Sequence, residues 1–297
     1  MQTCSEIKAI LAGAGLSPNK RLGQCFMIDK NLLGKVVELA APGGDRTVLE
    51  VGPGTGTLTE ELLDRSARVV AAELDHGLAG VVRARFADRD NFVLVEGDVL
   101  AGKHALSPEV KSHLGASADL IANLPYNIAT PLIAQCLIES WRRVCGRASD
   151  SVCFDSMTFT VQQEVATRML AAPGGRLYGP ISVLGALLGN GVAGPAIPGS
   201  AFWPPPKIVS RALRIDFDPD LAAQVRDVAV LSEVVATAFG QRRKQIGSIF
   251  RKSRGSFAPD LLAAGLDVAG IDPSSRAERI TPEQFRTLAN AVGADRT

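Results

Sequence analysis

The sequence predicts an α/β chain: a mostly parallel, doubly wound sheet followed by a small all-α C-terminal domain. Three observations carry this expectation. From Thr47 onward, short apolar and β-branched runs alternate with helix-length stretches, the pattern of parallel strands joined by crossover helices. A glycine-rich turn, Glu50-Val51-Gly52-Pro53-Gly54-Thr55-Gly56-Thr57, stands between the first strand and its helix. After Asp218-Pro219 the strand signature ends and only helical texture remains.

Taken in order, residues 1–46 read as an N-terminal arm with short helices. Strands are expected at 48–51, 69–73, 92–95, 120–123 and 157–161, each rich in Val, Ile, Leu or Phe. Two later apolar segments, 192–197 and 208–217, leave no room for a helix between them and are expected to close the sheet as an antiparallel hairpin. Residues 177–206 carry no charge, but Gly185, Gly189, Gly191, Gly194, Pro195 and Pro198 would break a spanning helix. That stretch reads as a buried helix followed by a buried strand. Asp272-Pro273 reads as one helix start. Thr281-Pro282-Glu283-Gln284 reads as another, with threonine as cap and glutamine three residues on. The expected domains are 1–218, holding the chemistry, and 219–297, a helical unit.

Composition narrows the classes. A chain of 297 residues can bury a sizeable core, and 46% hydrophobic with 21% charged residues describes a globular protein. A net charge of +1 excludes a uniformly basic nucleic-acid coat and leaves room for a local basic face. The five cysteines, Cys4, Cys25, Cys136, Cys145 and Cys153, form no C-x-x-C pair, which points to reduced thiols and a cytoplasmic setting. Glu6, Lys8, Lys20 and Arg21 interrupt any apolar leader. His76, His104 and His113 show no ligand spacing and read as surface residues, so no metal is expected.

The chemistry concentrates in a few motifs. Gly52, Gly54 and Gly56 let the backbone turn sharply and approach a ligand closely. Glu73 ends the next strand, where a carboxylate can grip both hydroxyls of a ribose. Together they predict a nucleoside site; its G-x-G-x-G spacing differs from the G-x-G-x-x-G of dinucleotide sites. Asp98 ends the third strand, placed either to accept a bond from an adenine amine or to serve as a turn residue. Asn123-Leu124-Pro125-Tyr126 ends the fourth. An adenine amine is a poor nucleophile because its lone pair is delocalised into the ring. The Asn123 amide oxygen and the Leu124 carbonyl can accept both amine hydrogens and aim that lone pair outward. Pro125 fixes the turn, and the Tyr126 ring offers a stacking surface for the base.

Further runs complete the pattern: Leu22-Gly23-Gln24-Cys25-Phe26, Val161-Gln162-Gln163-Glu164-Val165-Ala166, Phe202-Trp203-Pro204-Pro205-Pro206-Lys207 and Arg276-Ala277-Glu278-Arg279. With them the chain resembles, over nearly its whole length, the ribosomal RNA adenine dimethyltransferase family, in particular its bacterial small-subunit type. The resemblance implies a Rossmann-like class I methyltransferase domain that takes methyl groups from S-adenosyl-L-methionine. It implies two adjacent adenines of small-subunit rRNA, in a hairpin loop near the 3′ end, as substrate, and a monomer working on the small ribosomal subunit without membrane or metal. The cofactor would be held by Gln24, Cys25, Phe26, Glu50, Gly52, Gly54, Gly56, Glu73, Asp98 and Asn123, with the arm around Gln24 closing over it. Phe202 would stack on the target adenine opposite Tyr126, although without the resemblance it would pass for a core aromatic. The chain departs from the family at Cys25, where asparagine is usual, at Met27, where leucine is usual, and in a longer 142–156 segment.

From Gly240 to Arg254 the chain carries six positive charges, Arg242, Arg243, Lys244, Arg251, Lys252 and Arg254, and no acid. One-signed concentration in a nearly neutral protein points to a phosphate-contacting surface, which Lys20 and Arg21 would extend. Three other readings compete: a large-subunit rRNA adenine methyltransferase, a non-catalytic ribosome-assembly or transcription factor on the same fold, and a nicotinamide dehydrogenase. The run from Asn123 to Leu132 and the tail from Gly270 to Val292 favour the small-subunit type, intact Asn123, Tyr126 and Glu73 argue against lost catalysis, and the glycine spacing argues against the dehydrogenase.

Overall fold

Among the described residues, seven strands form one sheet because their apolar runs must be covered on both faces, which parallel strands joined by helices achieve. The strands in chain order are β1 (Phe26–Met27), β2 (Thr47–Val51), β3 (Arg68–Glu73), β4 (Phe92–Glu96), β5 (Ser117–Asn123), β6 (Cys153–Gln162), β7 (Gly189–Ile197), β8 (Phe202–Trp203) and β9 (Ser210–Phe217). The sheet order is β4-β3-β2-β5-β6-β9-β7, and β1 pairs with β8 in a separate two-stranded ladder. β2 runs parallel to both β3 and β5, and β9 runs antiparallel to β6. The computed structural model describes residues 2–102, 105–125, 127–253 and 255–296.

The chain forms two compact units, Met1–Ala166 with Val192–Phe217, and Thr167–Gly191 with Asp218–Thr297. In the first, the sheet is flanked by α1 (Cys4–Gly13), α2 (Lys30–Ala40), α3 (Thr57–Leu63), α4 (His76–Arg85), α5 (Pro108–Leu114) and α6 (Ala129–Val144). Val48, Val69 and Ile121 of the strands pack with Val36, Leu62 and Val82 of the helices in one buried cluster. Local signals set the helix starts. Asp75 accepts from the Gly77 and Leu78 amides at the head of α4, and Thr3 with Glu6 makes a capping box at α1.

The second unit contains α7 (Gln163–Met169, from Thr167 on), α8 (Pro180–Leu188), α9 (Pro219–Ala223), α10 (Val228–Phe239), α11 (Ile246–Arg251), α12 (Pro259–Val268) and α13 (Pro282–Val292). The capping box expected at Thr281 and Gln284 opens α13.

Four expectations change. Residues 167–191 group with the helical unit, whereas the sequence boundary lay at 218. The cause is α8, apolar on all sides with Ile181, Val183, Leu184, Leu187 and Leu188 buried, which packs on α9, α10 and α13. The strand expected to be buried, β7, is mostly exposed: Asn190, Gly191, Val192 and Ala193 all face solvent. It is the sheet's last strand, where glycines and Pro195 are tolerated because no further strand needs its hydrogen bonds. β7 and β9 are neighbours as expected, but β8 leaves the connection between them to pair with the arm. Asp272-Pro273 forms a turn in which Asp272 accepts from the Ser274 amide at 2.8 Å, and no helix starts there.

Candidate active site

Strand order reverses between β2 and β5: β3 and β4 lie to one side, β6 to the other. Loops leaving the carboxyl ends of such a pair diverge and open a crevice. The glycine turn leaves β2 and the Asn123 motif ends β5, so topology brings the two strongest motifs to opposite walls of one cleft.

The turn requires its glycines. Gly52, Gly54 and Gly56 have φ of 69°, 62° and 83°, a region L side chains rarely adopt. Space forbids a side chain too: a Cβ on Gly56 would lie 2.6 Å from the Phe86 ring, and one on Gly54 would lie 3.0 Å from Phe26. A contact absent from the sequence reading holds the turn from outside. The buried Gln2 side chain donates to the Thr55 carbonyl at 2.9 Å and accepts from the Thr55 and Thr57 hydroxyls at 2.5 and 2.9 Å.

Two buried carboxyls line the cleft floor. Glu73 accepts from the Gly54 amide at 3.3 Å and the Asp75 amide at 2.9 Å, one on each oxygen. Burial holds it above the usual carboxylate range, opposed by those two amides. Glu50 is 2% exposed, and its Oε2 makes no hydrogen bond among the described residues. Burial foremost, with the nearby Glu73 adding to it, pushes its carboxyl up to about 8. An orphaned acceptor beside a second carboxylate fits a ligand carrying positive charge and hydroxyl donors. Asp98, exposed at the end of β4, lines the same cleft while accepting from the Leu100 amide at 2.9 Å, so its turn role and its position in the site coexist.

The arm also lines the cleft, from Leu22 to Met27. Gln24 accepts from the Asn19 amide at 2.8 Å and donates to Asp75 at 3.0 Å. β1 pairs antiparallel with β8, Phe26 opposite Trp203 and Met27 opposite Phe202. The Phe26 and Trp203 rings stack with centroids 6.4 Å apart. Cys25 contributes its backbone: its carbonyl accepts from Asn123 Nδ2 at 3.1 Å. That bond is indifferent to the side chain, so a thiol at position 25 leaves it intact. The thiol itself lines the cleft, and burial raises its pKa.

Leu124 and Pro125 line the cleft beside Asn123, and the Pro125 carbonyl accepts from the Ile128 amide at 3.2 Å to close the turn. Tyr126, the expected stacking ring, lies outside the described residues, as do His104 and Arg254. Phe202 is not brought to the cleft. At 2% exposure it packs with Met27, Ile197 and Ala201 in the core of its unit.

Lys20 and Arg21 are exposed on a short turn that runs into Leu22 and Gly23 at the cleft. In the second unit, Arg243, Lys244, Arg251 and Lys252 are exposed. Arg242 differs: it pairs with Glu278 at 2.9 Å and donates to the Gly175 carbonyl at 3.2 Å. The run that is free of acid in sequence is therefore partly neutralised in space. No helix among the described residues is long and apolar enough to cross a membrane.

Comparison with known proteins extends these findings. A protein from Magnetococcus marinus named "Ribosomal RNA small subunit methyltransferase A" is 37% identical over 291 residues, spanning 98% of this chain and 97% of the relative. A dimethyladenosine transferase from Plasmodium falciparum shares the fold with a TM-score of 0.67 at 20% identity, over 89% of this chain and 95% of that one. The 23S rRNA methyltransferase ErmE superposes with a TM-score of 0.61 at 21% identity, over 90% and 99%. Residues 15–293 match the model of one family, "Ribosomal RNA adenine dimethylase". Because that match runs from the arm through the last α-helix, it takes in both units, and the chain belongs to the ribosomal RNA adenine dimethylase family.

Proposed function

We propose that this chain transfers methyl groups from S-adenosylmethionine to the N6 amine of two adjacent adenines in small-subunit rRNA. The observation that carries the reading is the cleft at the β2/β5 reversal, which the buried Glu50 and Glu73 line together with Asn123. The relative's name supplies the subunit. S-adenosylmethionine, when bound, supplies a methyl group already activated on a sulfonium sulfur. Glu73 would hold its ribose hydroxyls, and Glu50 would face its positive charge. The Asn123 amide oxygen accepts an amine hydrogen as the nitrogen pyramidalises, and Leu124 offers its carbonyl for the other. No strong base is required, because the product ammonium is acidic enough to lose its proton to water. Measuring radiolabelled methyl transfer to unmodified small subunits, large subunits and free RNA tests this. Transfer confined to small subunits is the expected result, and transfer to large subunits alone would overturn it.

The Glu50 carboxyl gives a pH signature. Titrating near 8 in the free protein, it is mostly protonated at pH 7 and must ionise to face a cation. Cofactor affinity should therefore rise with pH up to about 8 and level off above it. Calorimetry at pH 7 in buffers of different ionisation enthalpy should show release of roughly one proton, lost in Glu50→Gln. The sign for folding is opposite. Because the folded pKa lies above the ordinary 4.5, this group's contribution to stability is full below that value and is lost as pH rises through about 8.

The helical unit serves RNA docking in this reading, through Arg243, Lys244, Arg251 and Lys252. Phosphate contacts release counterions, so each contact to a single strand adds about −0.7 to the log–log salt slope. Replacing Arg243 and Lys244 together by Gln should flatten that slope by about 1.4 and leave cofactor affinity unchanged. Filter binding across a salt series measures it, and an unchanged slope removes these residues from docking. Arg242 is left intact in this test because its partner Glu278 would be stranded.

A further inference from the structure

Asn123 on β5 stands opposite Thr160 on β6. In that register Ala122 with Phe159 and Leu120 with Met157 are apolar, and Thr158, opposite Ile121, makes no side-chain hydrogen bond among the described residues. A polar pair occurs where the sheet meets the cleft. The Thr160 hydroxyl, on a residue 1% exposed, donates to Asn123 Oδ1, while Asn123 Nδ2 donates to the Cys25 carbonyl at 3.1 Å.

A main-chain carbonyl can only accept, so the nitrogen end of the amide must face Cys25 and the oxygen end must face Thr160. The terminal torsion of asparagine is broad and roughly two-fold, so an amide held by neither partner would present oxygen and nitrogen interchangeably. Held by both, it keeps one acceptor position on Oδ1 and one hydrogen on Nδ2 for a ligand. Adenine offers the complement, an amine donor beside a ring-nitrogen acceptor. Guanine offers an oxygen acceptor in place of that amine.

We infer that Thr160 is a positioning residue for methyl transfer: its hydroxyl, acting with the Cys25 carbonyl, locks the Asn123 amide in the sense that accepts an adenine amine. The inference rests on the adenine methyl-transfer reading above. It also gives the arm a second role, since the arm supplies one of the two partners that orient the amide.

The test uses Thr160→Val, which keeps the branched shape without the hydroxyl, and Thr160→Ser, which keeps the hydroxyl. Single-turnover methyl transfer to small subunits, at saturating cofactor and RNA, should slow about tenfold or more in Thr160→Val, the scale of one lost hydrogen bond that leaves a buried acceptor bare. Cofactor affinity should stay near wild type, the unfolding midpoint should fall no further than in Asn123→Ala, and Thr160→Ser should recover most of the rate. In an Asn123→Ala background, Thr160→Val should slow the reaction no further, because the two groups act through one interaction. A Thr160 that only supported the sheet would slow the reaction equally in both backgrounds. That result would overturn the inference, as would a wild-type rate in Thr160→Val. A second measurement needs no turnover: the side-chain NH2 signals of Asn123, assigned by their loss in Asn123→Ala. They should be protected from solvent exchange in the wild type and lose that protection in Thr160→Val. If the wild type transfers no methyl groups, the functional reading falls and these signals alone judge the lock. Equal protection in Thr160→Val would overturn it.

Discussion

Asn123→Ala should slow single-turnover methyl transfer by roughly 10²–10³, the loss seen when a single preorganised transition-state hydrogen-bonding group is removed. The expectation follows from the position of its amide, on the cleft wall and bonded on both sides by Thr160 and Cys25. Cofactor affinity should change little, since the carboxyls proposed to hold the cofactor lie on β2 and β3. Stability should fall by about 1–3 kcal/mol, because the substitution strands the Thr160 hydroxyl and the Cys25 carbonyl. Rapid-quench assays on folded protein check the rate, and a normal rate in Asn123→Ala would remove the amide from the reaction.

Glu73→Ala should weaken S-adenosylmethionine binding about ten- to a hundredfold, the loss of charge-assisted hydrogen bonds of ~1.5–3 kcal/mol each. Part of that loss is indirect. Glu73 also accepts from the amides of Gly54 and Asp75, so its removal loosens the glycine turn itself. Glu73→Gln separates the two effects: it keeps an acceptor for one amide but has no negative charge, so it should bind better than Ala and worse than Glu. Calorimetry on folded variants reads both. Unchanged affinity in Glu73→Ala would place the ribose elsewhere.

Legibility in the sequence followed the physics of each residue. The glycine turn could be read because φ near 60–80° and the closeness of Phe26 and Phe86 admit little besides glycine. The strands could be read because burial on both faces forces unbroken apolar runs, as in Val69, Val70, Ala71 and Ala72. By contrast, the charge-free stretch from 177 to 206 announced burial without naming its partner. Its helix α8 joined the helical unit, and its strand β7 took an exposed edge. Gln2 and Thr160 left no trace at all. Each is an ordinary polar residue whose importance arises from a contact far along the chain, with Thr55 and Asn123 respectively. Phe202 was named by resemblance, yet an aromatic ring beside Met27 and Ile197 stays in the core unless something draws it out. Arg242 shows the same lesson for charge, because its neutralising partner Glu278 lies on another turn.

The pairing of β1 with β8 has a consequence for the order in which the protein is made. The arm leaves the synthesising ribosome first, but its strand partners, Phe202 and Trp203, emerge much later. At about 5–20 residues per second, the interval between Met27 and Phe202 lasts about 10–35 s. Throughout that interval the arm has no strand to pair with, and the Cys25 carbonyl has no ladder to hold it beside Asn123. The Asn123 amide therefore gains a fixed partner in the arm only after β8 exists, and a nascent chain that stops short of β8 holds the glycine turn, Glu73 and Asn123 with no strand to fix the arm beside them.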